Sequence, residues 1–379
     1  MTQKSMTAYY QYEERIKGEK IPYYEPWLGD EELAQLTEVI RANWISEGAK
    51  TREFERRLAQ LHGTTYALAV ANCTGGLIIA MRALGIGAGD EVIVPTFTFI
   101  ASVSSVRLAG ATPVLVDVDA RTATIDPAAV ERAITPRTKA ILPVHLYGQA
   151  ADMEAVMAIA ERHGLAVIED AAQGLAVKFR DRPVGSFGAI GCLSFFTDKS
   201  ITLGEGGAVL TNSDGLYEEL LMLKNDGRLE RGMYVHDRVG YNLRITELQA
   251  AVGVAQLGKL DTIVSKKRAN EELYRRRLQG VPGLELTHRD PRCFGVPHRV
   301  NVLVDDPEAL IAHLEANGIG SRRFYLPVHM QPSFDIEGEF PNAENLYRRG
   351  LSLPSAPTLT EEQIAFVCEK VEGFLRAGA

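Results

Sequence analysis

Apolar positions along the chain fall into two textures. From Gly29 to Arg41, Leu33, Leu36, Val39 and Ile40 recur at helical spacing behind Asp30 and Glu31, acids that suit the positive end of a helix. A second helical pattern, Thr51 to His62, sets Phe54, Leu58 and Leu61 on one face. Beyond it the apolar residues gather into short runs: Ala67–Ala71, Glu91–Val94, Thr112–Asp117, Ala140–Val144, Ala166–Asp170, Gly191–Phe196 and Ala208–Thr211. Each is the length of a buried strand. Helical patterns at Gly76–Leu84, Ala101–Ala109, Pro127–Ile134 and Met153–His163 lie between most of them. This alternation predicts an α/β fold, a mostly parallel sheet with helices on both faces.

From Thr246 the pattern reads as one long helix through Gln256, Leu260 and Ile263, ending near Gly280. Glu285-Leu286, Val300–Val304, a helix over Pro307–Asn317 and a last helix over Glu361–Arg376 follow, a smaller α+β unit. The expected organisation is an N-terminal extension over residues 1–20, polar and without a sustained period, a large domain over 21–260 and a small C-terminal domain over 261–379.

Composition narrows the function classes. The 379 residues are 46% hydrophobic and 24% charged, which is ordinary for a globular chain. A net charge of -8, with no dense Lys/Arg block, argues against nucleic-acid binding, so any anionic ligand needs a local site. Cys73, Cys192, Cys293 and Cys368 form no Cys-x-x-Cys pair, so neither a metal site nor a disulfide framework is expected. No apolar run approaches a membrane span, and a cytoplasmic protein without membrane partners is the expectation.

Three stretches could carry chemistry. Lys199 stands alone between the apolar run ending at Phe196 and a Gly204-Glu205-Gly206-Gly207 turn; a desolvated amine there can attack a carbonyl, although a loop lysine joining two strands has the same surroundings. Thr74-Gly75-Gly76 falls between a strand and a helix, where amides and a hydroxyl can hold a phosphate, or simply turn the chain. Asp170 ends an apolar strand next to Glu169; side chains alternate there, so one of the two faces a given cleft, and Asp170 is the better candidate unless it caps the next helix. The 29 positions between Asp170 and Lys199 leave room for both to reach one cleft.

With these residues in view, the chain from about Ile21 onward resembles the DegT/DnrJ/EryC1/StrS family of aminotransferases. The resemblance is carried by Trp44-Ile45-Ser46-Glu47-Gly48, the stretch Asp90–Phe99, Pro143-Val144-His145-Leu146-Tyr147-Gly148, Ile168–Gln173, Ser194-Phe195-Phe196 with Lys199, Gly204–Gly207, Gly240–Arg244 and Tyr325-Leu326-Pro327-Val328-His329. It implies the type I fold of enzymes dependent on pyridoxal 5'-phosphate, acting on nucleotide-linked keto-sugars with an amino-acid donor, glutamate. It also implies a role for each matching residue. Lys199 would carry the cofactor and move protons; Asp170 would pair with the pyridine nitrogen, Gln173 would lie near the phenolic oxygen, and Phe99 would stack on the ring. Thr74, the Gly75 amide and Ser194 would hold the phosphate, and Asn242 would reach the phosphate of the neighbouring subunit in a homodimer. Tyr325 and His329 match a segment near the sugar nucleotide, though such a proline-containing loop also collects these residues for packing.

Ser194–Gly207 and Pro143–Gly148 resemble most the perosamine-synthase-like branch, which aminates C4 of a 4-keto-6-deoxy hexose. The chain departs from the family pattern at Asn72-Cys73-Thr74-Gly75-Gly76, Gly174-Leu175 and Asn225-Asp226-Gly227, the last two on the substrate side. A cofactor-dependent sugar dehydratase on the same scaffold is a rival, but its relatives replace the lysine with His. A regulator without turnover is another; the roughly 20 residues ahead of the family region are too few for a DNA-binding helix pair.

Overall fold

The computed structural model describes residues 20–229 and 234–377; most of the expected N-terminal extension therefore lies outside the described residues. The large region contains strands β1 (Tyr66–Val70), β2 (Glu91–Pro95), β3 (Thr112–Val116), β4 (Thr138–Ile141), β5 (Ala166–Asp170), β6 (Lys178–Phe179), β7 (Arg182–Pro183), β8 (Ile190–Ser194) and β9 (Gly207–Thr211). Seven of them form one sheet in the order β1-β9-β8-β5-β4-β2-β3. From β8 to β3 the pairings are parallel, while β9 runs antiparallel to both β8 and β1. The five parallel strands thus deliver their carboxyl ends to one edge, the edge at which open α/β sheets bind ligands.

Helices α1 (Asp30–Ala42), α2 (Ala49–His62), α3 (Cys73–Ala83), α4 (Ala101–Leu108), α5 (Pro127–Ala133), α6 (Met153–His163) and α7 (Asp214–Lys224) surround this sheet. Their starts are written in short polar side chains. Asn72, Asp152 and Ser213 each accept the amide three positions on, and Asp126 precedes a proline at the first helical position. The helix α7 is absent from the sequence reading. Its Leu220-Leu221-Met222-Leu223 run is nearly continuous and gives no clear period. Strand β4 ends at Ile141, ahead of Pro143, which has no amide for the ladder; the chain still runs beside β5 through a Val144–Asp170 bridge.

The remainder comprises α8 (Glu247–Leu278), β10 (Leu284–Leu286), β11 (Cys293–Phe294), β12 (Val300–Val304), α9 (Pro307–Ala316), β13 (Arg322–Arg323), α10 (Pro341–Arg349), β14 (Gly350–Leu353) and α11 (Glu361–Ala377). A four-stranded antiparallel sheet, β10-β12-β14-β13, forms its centre, and β11 reaches back to pair with β6. Helix α10 also escapes the periodicity, because only Ala343 and Leu346 are buried along it. The 32-residue α8 serves both regions. Its Ala250, Val254, Leu260, Ile263 and Val264 belong to the core under the large sheet, and Tyr274 and Leu278 to the core under the small one. Gly253 lets Phe54 of α2 lie directly on α8, since a Cβ there would come within 2.7 Å of the ring.

Candidate functional site

Lys199 is displayed on the loop between β8 and β9. That loop is anchored from below by Phe195, Ile201 and Leu203, all buried, with Phe195 set edge-on to Phe54 at 5.2 Å. Polar bonds close it: Leu203 N donates to Phe195 O at 3.0 Å, Thr202 Oγ1 to the same carbonyl at 3.2 Å, and Thr202 N to Gln256 Oε1 of α8 at 3.3 Å. The amine end therefore stands on a fixed base. Lys199 keeps 13% of its side chain exposed, and its Nζ lies 3.2 Å from Asp198 Oδ1.

Asp170 is buried at the end of β5. Its Oδ2 accepts from Ser102 Oγ at 2.7 Å and its Oδ1 from the Ala172 amide at 3.0 Å; Ser102 is in turn 2.8 Å from Thr98 Oγ1. Burial pushes the Asp170 carboxyl above the ordinary range, while these donors and the positive charge of Lys199 pull it down. Lys199 and Asp170 share surroundings. The thiol of Cys73, first residue of α3, is raised mainly by burial, is raised further by Asp170 and is lowered by Lys199. Asp170 is also paired with Cys192 across β5 and β8, and a Cβ on Gly76 would stand 3.9 Å from the Cys192 Sγ, so the carboxylate, the strand leading into the Lys199 loop and the start of α3 adjoin.

The neighbouring acid faces the other way, as strand alternation requires. Glu169 is fully buried and accepts the amides of Gly185, Phe187 and Gly188 at 2.6 to 2.8 Å, with His145 Nε2 at 3.1 Å. His145 Nδ1 accepts the Ala151 amide, which leaves its proton on Nε2. That pair belongs to the framework.

The other expected residues are placed as follows. Thr74 and Gly75 fall in the first turn of α3, which begins three residues earlier than the sequence pattern predicts. The Gly75 amide donates to the Asn72 cap at 2.8 Å, so one expected phosphate donor already has an acceptor. Ser194 ends β8 and accepts, at 3.4 Å, from the Phe196 amide. Phe99, 54% exposed, meets the edge of Tyr325 at 5.6 Å. Gln173 ties two segments together, accepting the Tyr147 amide at 2.6 Å and donating to the Tyr325 hydroxyl at 3.1 Å. Tyr147 and Tyr325 stack at 5.5 Å. His329 is packed instead of displayed: Nδ1 lies 2.7 Å from Thr96 Oγ1, and its ring lies tilted against Phe340 at 4.6 Å. Asn242 is exposed and bridges to Asn225 through the backbone, and the next residue, Leu243, accepts the Ala71 amide at 2.7 Å just ahead of the Asn72 cap.

Two neighbours were not singled out from sequence. Asp198 joins Lys199 to Arg299, whose Nη2 lies 2.5 Å from Asp198 Oδ2, with His298 Nε2 at 3.7 Å. Arg299 also stands 4.2 Å above the Tyr23 ring. An acid beside a lysine in an apolar context was a readable signal for Asp198; nothing in the chain pointed to Arg299, 101 positions away. Ser102 was equally silent, a serine inside a helical pattern.

This donor set fits pyridoxal phosphate. It offers an amine for the aldehyde, a buried carboxylate for the ring nitrogen, an uncovered aromatic side chain, and a helix start with a hydroxyl for the phosphate.

Comparison with known proteins agrees. Residues 26–372 match the DegT/DnrJ/EryC1/StrS aminotransferase family. GDP-perosamine synthase of Escherichia coli O157:H7 is 39% identical over 359 residues, covering 93% of this chain and 98% of that protein. The UDP-N-acetyl-3-dehydro-alpha-D-glucosamine 3-aminotransferase of Acidithiobacillus ferrooxidans (strain ATCC 23270 / DSM 14882 / CIP 104768 / NCIMB 8455) is 42% identical over 342 residues, 89% and 92% of the two chains. The PLP form of the putative sugar aminotransferase Spr1654 from Streptococcus pneumoniae superposes with a TM-score of 0.90 at 26% identity, covering 95% of this chain and 99% of that one.

Proposed function

The chain belongs to the DegT/DnrJ/EryC1/StrS aminotransferase family and is a pyridoxal-phosphate-dependent aminotransferase; from that premise we propose that it moves nitrogen from glutamate to a nucleotide-linked keto-deoxy sugar, at C4 of a 4-keto-6-deoxy hexose. The observation that carries the chemical part is that Asp170, the strand leading into the Lys199 loop and the start of α3 adjoin. Support for the substrate class comes from relatives named for GDP- and UDP-linked sugars.

Pyridoxal phosphate, when bound, supplies an electron sink that no side chain offers. The protein's part is to hold and to move protons. Lys199 would hold the cofactor, and its Nζ would take a proton from the α-carbon of the donor in one half-reaction and return one to the sugar carbon in the other. Asp170, its carboxylate oriented by Ser102 and the Ala172 amide, would keep a positive charge on the ring nitrogen. Phe99 would cover the ring, Gln173 would lie near its phenolic oxygen, and Thr74, Ser194 and, if the Asn72 cap opens, the Gly75 amide would take the phosphate. Tyr325 and His329 border the sugar, His329 through the loop it anchors. Glutamate leaves as 2-oxoglutarate and the ketone leaves as an amine, so nitrogen balances over two half-reactions.

Asn242 completes the site of a second copy in a homodimer. Exposed Trp44, Ile45, Val239 and Tyr241 flank that segment and support an interface there. The 21–260 and 261–379 units are the corresponding domains, joined through α8. A dehydratase on this scaffold is disfavoured by Lys199.

The test is direct. Purified protein is given glutamate and a panel of nucleotide-linked 4-keto and 3-keto sugars, and 2-oxoglutarate and the amino sugar are followed. Formation of both with a 4-keto-6-deoxy hexose is expected. Turnover confined to 3-keto sugars would overturn the assignment of C4, and deoxygenation without nitrogen transfer would overturn the whole reading.

A further inference from the structure

A cavity of about 770 Å³ lies between the large sheet's loops, α8 and the small sheet. Its lining is unlike the rest of this acidic protein. Arg121, Arg268, Arg275, Arg289, Arg299 and Arg349 face it, against two carboxylates, Glu271 and Glu285. Those carboxylates are already engaged: Glu271 is held by Arg275 Nε at 3.1 Å and Arg289 Nε at 2.8 Å, and Glu285 by Arg349 Nη1 at 3.2 Å. Arg299 is matched by Asp198. Arg121 and Arg268 have no carboxylate partner among the described residues. Arg121 Nη2 lies 3.1 Å from His288 Nε2, and the Arg268 guanidinium sits 3.9 Å above the Phe294 ring.

In a chain of net charge -8, this concentration of fixed cations in a concave site makes a local positive field with two unmatched guanidinium groups at its mouth. Guanidinium forks bind phosphate oxygens in pairs. The volume exceeds what a small dicarboxylate needs and falls in the range of about 300–1,000 Å³ typical of cofactor-sized ligands. Phe324 and Tyr147, buried and packed on each other at 5.1 Å, form part of its floor, and Asn301 and Asn345 add amide groups able both to donate and to accept. We propose that this cleft is a second ligand site, for a nucleoside di- or triphosphate whose phosphates are held by Arg121 and Arg268. It is separate from the Lys199 site and does not depend on the activity proposed there.

The two sites share one wall. Arg299 lines the cleft and also holds Asp198, the ion partner of Lys199. A polyanion in the cleft therefore competes with Asp198 for Arg299 and alters the field at Lys199.

The experiment is calorimetric titration of the holoenzyme with GDP, UDP and inorganic pyrophosphate, in about 150 mM salt so that loose surface binding is screened. The wild type is compared with Arg121→Ala/Arg268→Ala, both exposed residues outside the Lys199 machinery. Loss of one site per chain in the double variant, or its weakening by at least about tenfold, is the expected result, as for removal of charged hydrogen bonds. If the Lys199 site also takes nucleotides, the wild type shows a further site that the double variant keeps; if the reading of the Lys199 site fails, the double variant shows none. Unchanged titration of the double variant overturns the cleft. Equal binding of pyrophosphate overturns the nucleoside class, and binding only at low salt overturns a built site. Phenylglyoxal labelling of wild-type Arg121 and Arg268 gives a second readout without mutation: GDP should protect both, and absence of protection overturns the proposal.

Discussion

Asp198 and Lys199 are neighbours in the chain and partners in space, Oδ1 lying 3.2 Å from Nζ. The other carboxylate oxygen reaches Arg299 on the segment leading into the small sheet, so one acid joins the lysine loop to the second region of the protein. Arg299 is buried, and Asp198 is the carboxylate set against its charge.

Asp198→Asn should leave Arg299 buried without its anion, at a cost of about 3–5 kcal/mol in stability. Thermal melting of the cofactor-free protein reads the loss. Adding Arg299→Gln to it should recover part of the loss, because the two residues form one pair; strictly additive effects would show that the pair is incidental.

Lys199→Ala should abolish retention of the cofactor after borohydride treatment and denaturation, since Lys199 is the amine proposed to carry it. Turnover should fall by a factor on the order of 10³ or more. Mass spectrometry and steady-state assay check the two parts separately.

Ser102→Ala should weaken cofactor binding while leaving Asp170 in place. The lost bond from a hydroxyl to a buried carboxylate is worth about 1.5–3 kcal/mol, or about tenfold or more in Kd. Asp170→Asn keeps the shape but not the charge, and it should lower turnover far more than Ser102→Ala does. Equal effects would mean that the carboxylate serves only as a hydrogen-bond acceptor.

His62 gives a pH dependence of stability. It is buried, donates Nδ1–H to Val184 O at 2.9 Å and leaves Nε2 unpartnered; burial lowers its pKa from 6.5 to about 4. Between those values the unfolded chain binds the proton and the folded one does not. The His62 contribution is thus whole above pH 6.5 and is lost as pH falls toward 4, by roughly 3 kcal/mol. Denaturant midpoints of the wild type should fall over that window, and His62→Gln should flatten the slope.

If Asn242 serves the site of a second copy, two inactive proteins should repair each other. Mixing Lys199→Ala with Asn242→Asp under exchange conditions should restore about a quarter of wild-type activity, because half the dimers are mixed and each has one intact site. An Asn242 acting within its own chain gives no recovery.

The large sheet was legible because each strand is a short apolar run and each crossover helix carries a period; β5 has the bounds that its pattern predicts. Lys199 and Asp170 were legible for a related reason, as polar residues set against apolar runs at a sheet edge. The partners that orient them were not. Ser102 lies 68 positions from Asp170 and Arg299 lies 101 from Asp198, and both are ordinary residues until the fold brings them together. The α3 start shifted because Asn72, two residues past the end of β1, caps the helix where the sequence pattern suggested a glycine start. The small two-residue strands β6, β7, β11 and β13 carry no period at all.

Helix α8 places side chains in both hydrophobic cores without a break, with Val264 in one and Tyr274 in the other. Its length is therefore a phase setting. One residue inserted between those positions would turn the second sheet by about 100° and slide it by about 1.5 Å against the first, separating Arg299 from the lysine loop even though no residue of either had been changed.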